Sequence, residues 1–197
     1  MASDMALAMI VRDEPADRLA LLVEYVKPVI SKVVIADTGS VKNETELYRT
    51  WGVDAYDYKW VDDFSAARNS TLDHLDDSIE WVLHLDADEL PSWEMMKHVL
   101  WIRDNAPKRV LGYQVFTVNF WGGERGIEHP AHWHVRLFRR AHGRWYKKVH
   151  EQVMLDGKRE GQAGPTLEKM NKQAYLIHSK PAEKLDTSAL LYTKIGE

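Results

Sequence analysis

Short apolar runs alternate with amphipathic stretches through the first half of the chain, and that rhythm sets the first expectation about its fold. Residues 6–11 form a compact apolar run ending in Arg12-Asp13-Glu14-Pro15, the pattern of a buried strand feeding a loop. From Asp17, the residues Leu19, Leu22, Val23 and Val26 recur at helical spacing until Pro28 closes the pattern. Residues 32–36 read as a second strand. The turn Asp37-Thr38-Gly39-Ser40 then leads to Asn43, with Glu46 three residues on, as a cap for a helix that reaches Trp51 and stops at Gly52. Residues 53–58 are a third strand. Ser65 opens a helical stretch with Leu72 and Leu75 inward, and residues 81–85 return to the sheet.

Four strands alternating with helices predict an α/β fold with a parallel, doubly wound sheet, in which ligands bind beyond the carboxyl ends of strands. Glu14, Asp37 and Asp86 all fall at such ends. A helix over residues 92–106 follows, with Met96, Val99 and Leu100 on one face. The rhythm then changes: residues 110–118, 135–138, 149–155 and 174–177 read as strands with no helices between them, predicting a mixed or antiparallel extension. Residues 156–165 are turn-rich and read as a surface loop, and residues 181–194 as a final helix. No internal repeat or low-complexity tract is present.

At 197 residues the chain suits one well-buried domain, with residues 1–100 as a nucleotide-binding half and 101–197 as an acceptor-side half. The absence of Cys excludes disulfides and thiolate chemistry. The start lacks the basic region and apolar core of a secretion signal, and no window is apolar enough for a membrane span, so the expectation is a cytoplasmic protein without membrane partners. The net charge of −4 conceals an asymmetry: residues 1–100 carry 20 acids against 9 Lys/Arg, and residues 101–197 carry 10 against 17. An acidic half facing a basic half suits a site that holds a cation and a polyanion together. The same split also serves solubility alone.

The most informative stretch is Trp81-Val82-Leu83-His84-Leu85-Asp86-Ala87-Asp88-Glu89, an apolar run that stops in two acids one residue apart. Two such carboxylates at a strand end can hold a divalent cation through oxygen ligands, although a solvated acidic turn has the same composition. Three more segments stand beside it: Ala8-Met9-Ile10-Val11-Arg12-Asp13-Glu14, Ile35-Ala36-Asp37-Thr38-Gly39-Ser40, and Asp62-Asp63-Phe64-Ser65-Ala66-Ala67-Arg68-Asn69. Together with Arg136-Leu137-Phe138-Arg139, His150-Glu151 and Ile177-His178, they resemble, in order and spacing, the family-2 glycosyltransferases with the GT-A fold. The likeness is to the bacterial and phage subgroup often joined to tetratricopeptide repeats. It covers nearly the whole chain; the repeats are missing from this sequence, and the acceptor contacts they supply in relatives are not carried over.

The resemblance implies a metal-dependent inverting transfer of a sugar from a nucleotide-sugar donor, with a UDP-sugar favoured, to an acceptor hydroxyl on a protein, a glycan or a modified DNA base. It implies Mn²⁺ or Mg²⁺ as the cofactor, held by Asp86, Asp88 and the late His178. Nucleotide contacts are expected from Val11, Glu14, Asp37, Gly39, Arg68 and Asp86. Asp37 and Gly39 equally suit a plain turn, and Arg68 a guanidinium meeting ribose or diphosphate. Glu151 is expected as the general base, with Glu89, Glu124 and Glu128 as other candidates.

Segment 129–159 holds eight Lys/Arg, two acids and five of the nine His. Within it Arg136, Arg139 and Arg140 are candidates for the diphosphate, while Trp145, with Trp133 and Tyr146, could stack on a sugar ring or a base. Trp121-Gly122-Gly123 reads as an acceptor-side loop. A nucleotidyltransferase would share the sheet and the acids but calls for a Gly-rich basic loop after the first strand, and residues 11–17 contain no Gly. A nucleic-acid-binding module using the basic aromatic segment 129–159 is the alternative of a different class.

Overall fold

The computed structural model describes residues 4–42, 44–121 and 127–180. Its first half alternates as expected: β1 (Asp4–Val11), α1 (Ala16–Val26), β2 (Lys32–Asp37), α2 (Thr45–Thr50), β3 (Asp54–Asp57), α3 (Phe64–Asp73) and β4 (Ile79–His84). Each helix carries the chain back so that the next strand enters from the same edge. The four strands lie in the order β3-β2-β1-β4, all parallel. Val11 pairs with Asp37, and Asp37 with Asp57, so the carboxyl ends align at one rim.

Helix ends follow local chemistry. Leu19, Leu22, Val23 and Val26 bury one face of α1. Asp63 caps α3 by accepting the Ala66 N–H at 2.9 Å. The cap expected for α2 lies partly outside the described residues, since Asn43 is among those left out. Glu46 pairs instead with Arg49, one turn along, and Gly52, at φ +77°, ends that segment in the left-handed conformation glycine adopts freely.

After β4 come β5 (Glu89–Pro91), α4 (Trp93–Asn105), β6 (Gly112–Trp121), β7 (Ile127–Arg139), β8 (Gly143–Tyr146), β9 (Gln152–Leu155), β10 (Leu167–Lys169) and β11 (Tyr175–Lys180). Four of these, β5, β8, β9 and β10, are only three or four residues long, too short to show a full alternation in sequence. β7 runs far beyond the expected 135–138, because its polar positions are paired along β6 as one arm of a long hairpin. Conversely, 149–155 shortens to β9, since residues 147–150 turn sharply, with Lys147 at φ +74° and His150 at φ +51°. On α4, Met95, Met96, Val99 and Ile102 form the buried stripe, capped by the Ser92 hydroxyl. Leu100, expected inward, sits on the flank of that stripe and is 38% exposed. The proposed 181–194 helix lies outside the described residues.

These strands complete a nine-stranded mixed sheet, β3-β2-β1-β4-β7-β6-β11-β5 with β10 beside β6, while β8 and β9 form a separate ribbon. The antiparallel pairing of β4 with β7 and the β6–β7 hairpin is where the second half joins the first. One core layer collects side chains of α1 and α4 with Leu7, Met9, Leu83 and Leu137. The other collects Ala6, Ala8, Val82 and Phe138 with Leu72 of α3 and Val153 and Leu155 of β9. Each fully buried aliphatic of this kind contributes about 1.5–3 kcal/mol of transfer free energy. No helix among the described residues is long and apolar enough to cross a membrane.

Candidate active site

At the end of β2, one oxygen of Asp37 accepts the Gly39 and Ser40 N–H groups at 3.0 and 2.8 Å, building the turn that the sequence allowed. Gly39, at φ +107°, makes that turn possible. The other oxygen, Oδ2, is buried and has no hydrogen-bond partner among the described residues. A buried acceptor left open costs free energy unless something else supplies a donor. Burial first, then Glu44 and Asp37, and more weakly Glu14, raise the phenol pKa of Tyr48, which lies under this rim. Val11 does not offer its carbonyl there: that oxygen accepts both the backbone N–H and the hydroxyl of Thr38, at 2.9 and 3.0 Å.

Beyond β4, a buried charge network takes over. Arg68, on α3, donates to Asp86 Oδ1 at 2.8 Å and to Glu151 Oε1 at 2.7 Å, touches the His84 ring, and lies 4.9 Å from the Trp145 ring centroid. Arg136 donates to Asp86 Oδ2 at 3.0 Å and to Glu89. Glu89 Oε2 accepts the Asp86 N–H at 3.0 Å, closing the Asp86–Glu89 turn. Arg136 reaches these acids because it is the extra residue of a β-bulge: Tyr113 pairs with Leu137, but the next residue, Gln114, pairs with Val135.

Burial by itself would raise the Asp86 pKa, but the guanidinium groups of Arg68 and Arg136 hold it well below the ordinary carboxylate range. Glu89 moves the other way, raised by burial and by Asp86 against the pull of Arg136. The His84 ring is driven down to about 3, by burial first and by Arg68 next, and is neutral.

Asp88 points to a different partner. Its Oδ2 lies 3.3 Å from His178 Nε2, and Ser179 N–H donates to its carbonyl at 3.0 Å. Burial works to lower the His178 pKa, but the hydrogen bond and charge of Asp88, with Glu89 and Asp86 beyond, carry it above its usual value. The pair exists because β11 runs between β6 and β5, with His178 opposite both Asn119 and Glu89. Among the described residues no group of three or more His, Asp or Glu is placed to hold a metal unaided. An imidazole nitrogen beside one carboxylate is a donor set that Mn²⁺ can accept when phosphate oxygens and water complete the shell, and one less suited to Mg²⁺, which takes oxygen ligands.

The structure therefore brings Arg68, Asp86, Glu89, Arg136 and Glu151 into one network, with Asp88 and His178 paired alongside. Other expected residues go elsewhere. Arg139 pairs with Glu80, donates to the carbonyl of Val110 and lies over Trp81, at the opposite end of β4. Arg140 likewise pairs with Asp77 there. Both are engaged by acids at or before the start of β4, away from Asp86 and Asp88, which departs from the diphosphate contact expected of them. Trp145 is 6% exposed and packs against His84 and Phe138, so its ring is core and not a sugar platform. The Trp121 side chain and Glu124 lie outside the described residues, as does the Glu128 side chain. Sequence reasoning missed His84, whose apolar neighbours disguised it as an ordinary strand residue, and Asn119, which stands in no motif.

No family model matches the chain. A TPR repeat-containing protein of Synechococcus elongatus is 35% identical over 101 residues, which is 50% of this chain and 24% of that protein's length. Among solved structures, the Mycobacterium tuberculosis glucosyl-3-phosphoglycerate synthase in complex with Mn²⁺, UDP-glucose and phosphoglyceric acid superposes with a TM-score of 0.57 at 11% identity, covering 98% of this chain and 80% of that one. At that identity the likeness concerns the fold: the chain has the GT-A architecture, a mainly parallel central sheet flanked by helices with a mixed extension.

Proposed function

We propose that this chain is a single catalytic domain that transfers a sugar, with inversion, from a nucleotide-sugar donor to an acceptor hydroxyl, aided by a divalent metal. The observation that carries this reading is the Asp88–His178 pair set beside an Asp86 clamped by two arginines, at the same rim as the open Asp37 carboxylate oxygen. A UDP-sugar is the donor that the family resemblance favours; the Asp37 carboxylate would accept an N–H of the base, as it would from several nucleobases.

In this reading Asp37 and Glu14 orient the base and ribose, and Asp86, held rigid by Arg68 and Arg136, takes the ribose or metal side. Asp88 and His178 would hold Mn²⁺ or Mg²⁺, which supplies charge neutralisation to the departing diphosphate. The two guanidinium groups add fixed positive charge close by. Glu151 is the proposed base. Arg68 engages its Oε1 alone, leaving Oε2 without a hydrogen bond among the described residues. That oxygen accepts the acceptor's hydroxyl proton as its oxygen bonds to the sugar C1, and the nucleoside diphosphate leaves with the electron pair of the broken bond. The acceptor is a protein, a glycan or a modified base in DNA, which incubation with each class separates. The nucleic-acid-module reading loses support, because Arg136, Arg139 and Arg140, three of its eight cations, are paired with acids inside the protein.

The direct test is thermal unfolding with UDP, with and without Mn²⁺. A hundredfold excess over the dissociation constant stabilises by about 2.7 kcal/mol. Asp88→Ala is expected to abolish the Mn²⁺-dependent part of the shift together with transfer, and Glu151→Gln to abolish transfer while leaving UDP binding intact. A UDP shift indifferent to both Asp88→Ala and chelator would overturn the metal assignment.

A further inference from the structure

The even-numbered residues of β6 divide into a covered stretch and an open one. At Gly112 an added Cβ would meet the Leu155 side chain of β9 at 3.1 Å, and Gln114 donates to Glu160 Oε2 at 3.0 Å, so β9 and residues 160–162 cover that end. Beyond Gln114 this cover stops. Leu90, Ile177 and Val118 are paired in one row across β5, β11 and β6, and Tyr175, Phe116 and Trp133 in the next across β11, β6 and β7. Paired residues share a face of the sheet, so these six side chains form one patch. Leu90 is 47% exposed, and Phe120, one step further along the same face of β6, is 38% exposed. The other five are half-buried, and neither core layer takes in any of the seven. Their chain neighbours Val115, Thr117 and Leu176 are fully buried on the opposite face, where Val115 and Leu176 join Met95 and Met96 of α4. Lys169, paired with Gln114, and Lys172 hold their ammonium groups 5.1 and 5.3 Å from the Trp133 and Phe116 ring centroids, which gives the patch a charged lower margin. A contiguous apolar face with a polar edge marks a surface onto which something packs.

We propose that residues 181–194, which follow β11 directly and lie outside the described residues, pack on this face as an amphipathic helix. Lys180, the last residue of β11, pairs with Trp121 just past Phe120. The chain therefore leaves the strand at the upper edge of the face and needs only a turn to come back over it, and Pro181 suits the first position of a helix. Within the segment Ala182, Leu185, Ala189 and Tyr192 recur at three- and four-residue spacing, one stripe of a helix, with Glu183, Thr187 and Lys194 on the other side. The dimensions agree: a helix over 181–194 is about 21 Å long, and the strand from Phe120 to Phe116 covers about 13 Å. The small side chains of Ala182 and Ala189 allow close approach to the half-buried rings. A helix seated there braces β11, the strand that sets His178 beside Asp88.

The chain has no cysteine, so a single introduced thiol reports on the face without background. In full-length Val118→Cys protein, maleimide labelling is expected to be at least about tenfold slower than in the same protein carrying Leu185→Asp and Tyr192→Asp, because only local opening of the segment exposes the thiol. Thr187→Asp, on the far side of the helix, is expected to leave the rate unchanged. Val115→Cys, on the buried opposite face, is the control: slow labelling there shows that the sheet of the Asp variant is still folded. Equal labelling of Val118→Cys with and without the Asp pair, while Val115→Cys stays protected, would remove the segment from this face. Protection that disappears on dilution, together with a dimer in sedimentation, would give the face to a second copy of the chain instead. In the unsubstituted protein, amide hydrogen exchange across residues 182–192 is expected to be slowed, and exchange there at the rate of an unstructured peptide would overturn the proposal whatever the variants do.

Discussion

His84 and His134 are imidazoles that folding makes harder to protonate. Burial and then Arg68 bring His84 to about 3, while burial and then Arg136 bring His134 to about 2. Both values lie below the 6.5 of an unperturbed ring. Between those limits the unfolded chain binds protons that the folded chain does not, so stability is complete above roughly pH 6.5 and declines as the pH falls. Each ring contributes a slope of about 1.4 kcal/mol per pH unit within that window. Urea unfolding at several pH values tests this by difference. His134→Gln is expected to flatten the acid loss by about one ring's slope, a comparison that cancels the titration of Asp86 and Glu89. An unchanged slope would mean that His134 titrates normally in the folded protein.

At the scale of elements, β7 does two jobs. Its bulge turns Arg136 toward Asp86 and Glu89, and its end places Phe138 in the core under the turn into β8. A Cβ added at Gly143 would lie 2.1 Å from the Phe138 ring, whereas at Gly161 it would meet nothing within 4 Å. Phe138 is fully buried and cannot swing away. Gly143→Ala is therefore expected to cost about 1–3 kcal/mol, and Gly161→Ala to be neutral or slightly stabilising. Urea midpoints at constant m-value give the comparison. A Gly143→Ala protein as stable as wild type would show that the β7–β8 turn can shift as a unit.

Across the whole molecule, the site depends on segments far apart in sequence. Asp88 meets His178 only because β11 inserts between β6 and β5. Ending the chain after Gln173 would strip β5 of its partner and leave one edge of β6 open, as well as remove His178. The expected outcome is loss of the Mn²⁺-dependent UDP shift and a fall in the unfolding midpoint of at least about 5 °C, equivalent to about 2 kcal/mol in a chain of this size. Calorimetry of the shortened chain checks it; an unaltered midpoint would show that β11 adds little to the sheet.

Hydrophobic periodicity determined the alternating half of this protein, because burial on a strand or a helix leaves a repeat that the chain carries locally. The apolar run before Asp86 and the turn after β2 placed acids at strand ends for the same reason. What periodicity could not encode was which charge meets which. Arg136 and Arg139 are three residues apart on one strand, about 10 Å in space. One joins Asp86 and the other Glu80 at the far end, a choice made by the antiparallel pairing of β7 with β4 and by a bulge. Trp145 and Asn119 were opaque for a related reason: an aromatic ring or an amide takes its role from what surrounds it, and ion pairs and hydrogen bonds act over a few ångströms that only the folded chain defines.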